Sequence, residues 1–241
     1  NLFAKRKCIL KKQRIDGQET RQALLAAAGE VFAKKGYWEA TNADICGRAG
    51  VNIALINYHF GSQENLYVEP WKYAFQKSFE KYPIDGGVRP QAPVRERFYG
   101  HVFSMMGRIA DPANYDFDIV HKEMANPTGL LDEVIEQAIE PLEHNLISVI
   151  RELFGESGSE KQVLFTHMII KGQCFGPMLH LRRMQGGGET RGRKNFPPRF
   201  DIEELARHIV QFSLAGINGI CETPPAAAPK RLLKSKRKRK A

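Results

Sequence analysis

Apolar positions along the chain recur at spacings of three and four, with no sustained alternation of period two. The pattern predicts helices and no competing strands, hence an all-α fold. Leu24, Ala27, Ala28, Val31 and Phe32 share one face of a first helix expected over residues 15–37, which Gly36 stops. Thr41 is placed to cap a short second helix, with Asp44 at capping-box spacing and Gly50 as a left-handed C-cap. Asn52 is placed to cap a third, Ile53 to Phe60. There Ile56 and Phe60 face inward against Ile45 and Ala49, while Ala54, Leu55, Asn57 and Tyr58 point outward. Ser62 opens a fourth helix running to about Tyr82, and Pro70 within it predicts a kink or break.

The remaining elements follow the same logic. Residues 83–93 (PIDGGVRPQAP) form a loop by composition. Helices are expected over Val94–Ile109, Tyr115–Met124, a Thr128-capped segment reaching Phe154 with a kink at Pro141, and Glu160–Gln185 with Pro177 inside. An Asp201-capped helix runs through about Asn218. Residues 186–200 form a basic loop, and TPPAAAP at 223–229 forms a linker.

The second, third and fourth segments describe a helix-turn-helix: two short helices, a small-residue turn, and an outward face of small and amide side chains. Such a helix fits the major groove, where Asn57 or Asn52 can grip adenine and Ala54 and Leu55 can meet thymine methyls. An ordinary helical hairpin in an all-α core has the same pattern, and spacing alone leaves both open.

Charge changes the picture. The formal net charge is +9, but residues 1–14 carry six basic residues and residues 230–241 carry eight, with no acids in either stretch. Without these fourteen the chain holds 22 basic and 27 acidic residues. Basicity belongs to the two ends, so a global argument from charge to nucleic acid would mislead. Residues 15–68 hold Arg21, Lys34, Lys35 and Arg48 against Asp16, Glu19, Glu30, Glu39, Asp44 and Glu64, a net of −2. That is a poor balance for a surface meeting phosphate, and it gives weight to the basic arm.

Leu24 to Ala28, Phe32, Lys35-Gly36-Tyr37, Thr41, Asp44-Ile45, Ala49-Gly50-Val51, Tyr58-His59-Phe60 and Gly61-Ser62 together resemble the N-terminal domain of TetR-type transcriptional regulators. By that resemblance Asn52, Ile53, Ala54, Leu55 and Asn57 meet bases, and Thr41, Tyr58, His59 and Gln63 meet phosphate. Two positions depart from the family pattern: Asn57 stands where Tyr is usual, and Gln63 where a phosphate-binding Lys is usual. Lys122 to Thr128 (KEMANPT) and Gly172-Gln173-Cys174 resemble the ligand-binding domain of the CecR-like subgroup. This implies a body whose middle helices enclose an effector pocket, and last two long helices that pair with a second subunit as a four-helix bundle. The organisation expected is therefore a basic arm (1–14), a helix-turn-helix DNA-binding domain (15–68), a larger helical ligand-binding and dimerisation domain (69–222), and a Pro/Ala linker with a basic tail (223–241).

Candidate pocket residues are those on Met- and Phe-rich faces with polar neighbours: Phe98, Met105, Phe117, His121, Met124, Phe165, Met168 and Phe175. For each, simple packing is the competing explanation. Homodimerisation is expected because the last two helices carry apolar residues beyond one stripe.

Other classes find little support. Cys8, Cys46, Cys174 and Cys221 show no CxxC pairing, and the histidines no HExxH spacing, so no metal or cofactor is expected and the thiols are expected buried and reduced. No nucleophile elbow, Walker loop or GxGxxG indicates an enzyme. No apolar run is long enough to span a bilayer, and the N-terminus lacks a signal-peptide pattern, so the expected compartment is the cytoplasm. The expectation is a dimeric repressor on a pseudo-palindromic double-stranded operator, released by a small molecule. Alternatives are an activator, a non-specific DNA binder relying on its tails, or a small-molecule-binding protein or enzyme with a vestigial helix-turn-helix.

Overall fold

The computed structural model describes the backbone of residues 2–185 and 201–222, with side chains for 17–182 and 201–222. The elements are α1 (Leu2–Lys35), α2 (Asn42–Ala49), α3 (Ala54–Phe60), α4 (Gln63–Lys81), α5 (Val94–Ala110), α6 (Asp116–Ala125), α7 (Asp132–Phe154), α8 (Glu160–Gln185) and α9 (Ile202–Glu222). No strand occurs among the described residues. The 186–200 loop and the 223–241 linker and tail lie outside them.

Boundaries shift in four places. Helix α1 begins at Leu2, so the backbone of the basic arm is helical and continuous with the supporting helix. Pro70 does not break α4; it is buried inside an uninterrupted helix. Thr128 does not cap α7, which starts at Asp132 with Leu131 before it. The Thr128 hydroxyl accepts from the Leu130 amide at 3.0 Å and donates to Glu123 at 2.8 Å, shaping the loop before the helix instead. Helix α9 continues past Asn218 to Glu222.

Two cores organise the chain. The body core unites α5, α7, α8 and α9 around Phe98, Val102, Met106, Ile150, Ile170, Met178 and Ala206. The other unites α1–α4 around Leu24, Phe32, Ile45, Ile56, Leu66, Tyr67 and Trp71. Full burial of aromatic and aliphatic side chains of this size is worth about 1.5–3 kcal/mol each.

The second core does not stop at the DNA-reading segment. Ile119 of α6 and Leu131, both fully buried, belong to it, with Tyr115, Val134 and Ile135 packed around. Close approach is possible because Gly29 of α1 lies under the Tyr115 ring, in space that any Cβ would fill. Glu123 of α6 is buried and accepts the Tyr67 hydroxyl at 2.8 Å, the Thr128 amide at 2.7 Å and the Gly129 amide at 3.0 Å. Helix α6 is thus sequence from the body that packs as part of the DNA-reading unit.

Candidate nucleic-acid interface and effector cavity

The helix-turn-helix is built from local signals. Thr41 and Asp44 form a reciprocal capping box: the Asp44 amide donates to Thr41 Oγ1 and the Thr41 amide to Asp44 Oδ2, each at 3.1 Å. Lys35 reaches the same carboxylate at 2.7 Å. The Lys35 contact, then the Thr41 bonds, pull the Asp44 carboxyl down to about 2. Gly50 ends α2 at φ +69°, the left-handed cap that glycine takes without penalty. Asn52 Oδ1 accepts the Ala54 amide at 2.9 Å, closing the entry to α3 one position outside Ile53. Ser62 Oγ accepts the Asn65 amide at 3.2 Å and starts α4.

Helix α3 is held by Ile56 and Phe60, both buried. Asn52, Ile53, Ala54, Asn57 and Tyr58 are exposed together, with Tyr58 79 % accessible. Leu55 is the exception: it is half-buried against the core rather than free on the outer face, because it packs beside Ile56 in a helix of under two turns. Thr41 and Gln63 are exposed at the N-termini of α2 and α4, flanking α3. His59 is half-buried beside Tyr58, and burial, then Arg21, push its imidazole below its ordinary value. Trp38, in the turn between α1 and α2, is 63 % exposed and adds an aromatic to the surface of this unit that the sequence pattern does not mark. A lone aromatic in a turn carries no periodic signal.

Three of the four cations described between residues 17 and 68 are committed to acids. Arg48 pairs with Glu30, Lys35 with Asp44 and Arg21 with Glu69. The arrangement presents hydrogen-bonding and apolar side chains on α3 rather than a cationic surface.

A cavity of about 130 Å³ lies in the body. Its walls come from Phe79 of α4; Ile84 of the following loop; His101, Ser104, Met105 and Arg108 of α5; Ile139, Leu142, Glu143 and Leu146 of α7; and His167, Lys171 and Phe175 of α8. Of the residues expected to line a pocket, Met105 and Phe175 do so. Phe98 is sealed in the body core, because it sits on the same stripe as Val102 and Met106, one helical step from Met105. Phe117 packs behind Phe175 with the rings tilted by 52° and their centroids 5.7 Å apart, without reaching the cavity. His121, Met124, Phe165 and Met168 are exposed, the last three at 78 %, 54 % and 66 %. The polar lining was legible in principle: His167, Lys171 and Phe175 are four apart, as are His101 and Met105. A stripe mixing charge with apolar residues reads as surface until a facing helix covers it.

Most polar groups in the cavity are engaged. Ser104 donates to the Pro83 carbonyl, Lys171 pairs with Glu143, and Arg108 contacts Asp116 at 2.7 Å. Burial pushes the Asp116 carboxyl up, opposed by that guanidinium. Burial also holds the His101 and His167 imidazoles below their ordinary values. At His101 Asp85 and a bond with the Ile84 backbone oppose this and Arg97 adds to it; at His167 Lys171 adds to it and Glu143 opposes it. Both rings are therefore neutral near pH 7.

The cavity is tied to the DNA-reading unit. Arg108 lies over the Phe75 and Phe79 rings of α4, at 5.1 and 4.8 Å, and donates to Ser78 at 3.3 Å. From α8, Arg182 donates to the Ile109 and Asp111 carbonyls, each at 2.8 Å, and pairs with Asp118 of α6.

Residues 24–69, which hold this helix-turn-helix, match the family of bacterial regulatory proteins of the tetR type. Residues 94–217, half of the chain, match the C-terminal domain of the HTH-type transcriptional dual regulator CecR. The chain belongs to the TetR-type regulators of the CecR group. It is a DNA-binding transcriptional regulator. It is 29 % identical over 167 residues to the CecR dual regulator of Shigella flexneri, covering 65 % of this chain and 74 % of that one. The regulator SrpR of Pseudomonas putida is 24 % identical over 143 residues, 58 % of this chain and 64 % of its own. A putative transcriptional regulator from Pseudomonas aeruginosa PAO1 shares the fold, with TM-score 0.60, 17 % identity, 84 % of this chain and 90 % of that chain covered. A regulator from Rhodococcus sp. Rha1 does likewise, with TM-score 0.60, 15 % identity, and 85 % and 99 % covered. Among the described residues no helix is long and apolar enough to cross a membrane.

Proposed function

We propose that this TetR-type regulator is a dimeric repressor that reads a pseudo-palindromic operator and is released by a small-molecule effector bound in the body cavity. The observation that carries the reading is the path from cavity to recognition helix. Arg108 forms part of the cavity wall and packs on Phe75 and Phe79 of α4, and α4 shares its core with α3. An effector that fits one placement of α4 better than the other shifts the population of recognition-helix spacings.

In this reading Asn52, Ile53, Ala54 and Asn57 meet base edges, and Leu55 positions the helix from its half-buried place. Thr41, Tyr58, His59 and Gln63 meet phosphate; a neutral His59 does so as a hydrogen-bond donor. The second subunit covers the face formed by Phe165, Met168 and Ile169 of α8 with Phe212 of α9, all more than half exposed. Exposed apolar side chains on two neighbouring helices call for an apolar partner. Gly172 and Gly176 of α8, and Gly216 and Gly219 of α9, have open space where a Cβ would stand, which lets another helix approach closely. The site of action is the cytoplasm, where the operator is.

The test is binding of the full chain to the DNA upstream of its own gene, against unrelated competitor DNA. Two protected half-sites about one helical turn apart, roughly 34–36 Å, are expected. Equal affinity for specific and competitor DNA refutes the reading.

A further inference from the structure

Helix α6 brings a further cation to the DNA-reading unit. Lys122 is exposed and takes part in none of the side-chain ion pairs found among the described residues. Its stem runs beside Gly36, where a Cβ would stand 3.7 Å from Lys122 Cβ and 3.9 Å from Cδ. Gly36, at φ +77°, opens the turn that carries the chain from α1 to α2.

The same corner holds the starts of α2 and α4. Only residues 37–40 separate Gly36 from Thr41, a span of at most about 18 Å. The Tyr37 ring lies 5.0 Å from that of Tyr67 on α4, and burial, then the Glu64 carboxylate, push the Tyr37 phenol up. Tyr67 in turn donates to Glu123, the neighbour of Lys122, at 2.8 Å. Lys122 is thereby held near two helix N-termini whose Thr41 and Gln63 are exposed beside α3. Trp38, edge-on to Tyr37 and 63 % exposed, leaves the corner open to a large partner.

Positive charge is scarce there. Residues 15–68 carry a net −2, and Arg21, Lys35 and Arg48 are paired. Glu39 and Glu64 are exposed outside those pairs. Duplex DNA presents one negative charge per about 1.7 Å of its axis, so exposed acids at a docking edge repel it unless cations stand with them. Lys34 is one such cation at the end of α1; Lys122 is the one that sequence outside the helix-turn-helix adds.

We infer that Lys122 is a DNA-backbone residue, a phosphate-directed cation that the body lends to the helix-turn-helix beside Thr41 and Gln63. The inference rests on Thr41 and Gln63 meeting phosphate, and adds a residue from beyond the matched segment 24–69. A lysine ammonium suits the place. It is a point charge on a flexible stem, and it attracts phosphate across roughly 8–10 Å without a fixed geometry. Phosphate contacts carry no base information, so Lys122 contributes on any sequence.

The experiment measures affinity of the full chain for its own upstream DNA and for a random duplex, between about 50 and 200 mM salt. Lys122→Met keeps the stem over Gly36 and removes the charge. It should weaken binding to both duplexes alike and flatten log affinity against log salt by about 0.9. Across that salt range the unmodified chain should lose about 3.5-fold more affinity than the variant. Lys122→Arg should keep the original slope, and Lys122→Glu should flatten it at least as far as Lys122→Met. Lys77→Met makes the same change in net charge about 21 Å farther along α4 from Gln63, and should leave the slope unchanged. Urea midpoints are read for every variant. An unchanged slope in Lys122→Met overturns the inference; if its urea midpoint falls as well, Lys122 only closes the end of α1. Equal flattening by Lys77→Met, or a loss confined to the upstream DNA, overturns it too. The random duplex reads Lys122 even where the upstream DNA is not preferred, so failure of the operator reading is distinguishable from failure of this one.

Discussion

Glu123 provides the sharpest test of how α6 is built into the DNA-reading core. Its carboxylate lies 5 % exposed between α4 and α6, with the Tyr67 hydroxyl on Oε2 and the Thr128 amide, Thr128 hydroxyl and Gly129 amide on Oε1. In Glu123→Ala these four donors do not suffer equally. Thr128 is half-buried and Gly129 exposed, so water replaces much of what they lose. The Tyr67 hydroxyl belongs to a fully buried side chain and is left without an acceptor, at a cost of about 1–3 kcal/mol. With the remaining bonds contributing roughly another 1 kcal/mol, Glu123→Ala should destabilise by about 2–4 kcal/mol. Tyr67→Phe removes one bond and leaves Oε1 satisfied, so about 1–2 kcal/mol is expected. In the double variant the Tyr67 contribution should largely vanish, giving a coupling of about 1 kcal/mol. Urea unfolding followed by circular dichroism measures all three against a total stability of the order of 5–15 kcal/mol. A Glu123→Ala cost below about 0.5 kcal/mol, as for an ordinary surface change, or strict additivity of the two substitutions, refutes the junction.

Four further outcomes are expected. Asn57→Ala should weaken specific binding by about 1–3 kcal/mol and relax preference at one base position in a binding-site selection; equal loss on random DNA would make Asn57 a phosphate contact. Met168→Glu puts a charge on the exposed face of α8 and should shift sedimentation equilibrium toward monomer; an unchanged distribution would take that face out of the subunit contact. Stability should decline as pH falls below about 6.5. The folded state holds His101 and His167 below their ordinary values, so the unfolded state binds more protons there, with a limiting slope of about 1.4 kcal/mol per pH unit per histidine. Asp44, held down to about 2, keeps its contribution through that window, and His167→Phe should flatten the slope between about pH 7.5 and 5.5 in urea midpoints. Deleting residues 1–14 removes six positive charges from a unit whose Arg21, Lys35 and Arg48 are already paired. The plot of log affinity against log salt should therefore flatten by about 0.9 for each phosphate that the arm neutralises; an unchanged slope would show the arm to be idle.

What the sequence determined by itself is local. Thr41 with Asp44, Gly50, Asn52 and Ser62 mark the edges of α2, α3 and α4 because caps act within four residues of themselves. Ile56 and Phe60 declare the inner face of α3 by their spacing, which leaves Asn57 and Tyr58 outside whatever the rest of the chain does. The same reasoning misjudged Leu55, since a residue at the border of a two-turn helix is turned in or out by its neighbours. Tertiary structure alone decided the rest. Phe98 and Met105 sit on the same helix with similar credentials, yet one is sealed against Val102 and Met106 while the other faces a cavity. Phe165 and Met168 look like pocket residues in one dimension but lie on the side of α8 away from α5 and α7. His167 gives no sign of burial until α8 packs into the body, and Lys171 and Glu143 give none of meeting across α7 and α8. Helix α6 likewise follows α5 in the chain but packs on α1 and α4, because Gly29 admits Tyr115 and Glu123 finds Tyr67. Periodicity reports which face of a helix is apolar. Which neighbour covers that face is settled only when helices distant in sequence compete for the same surface.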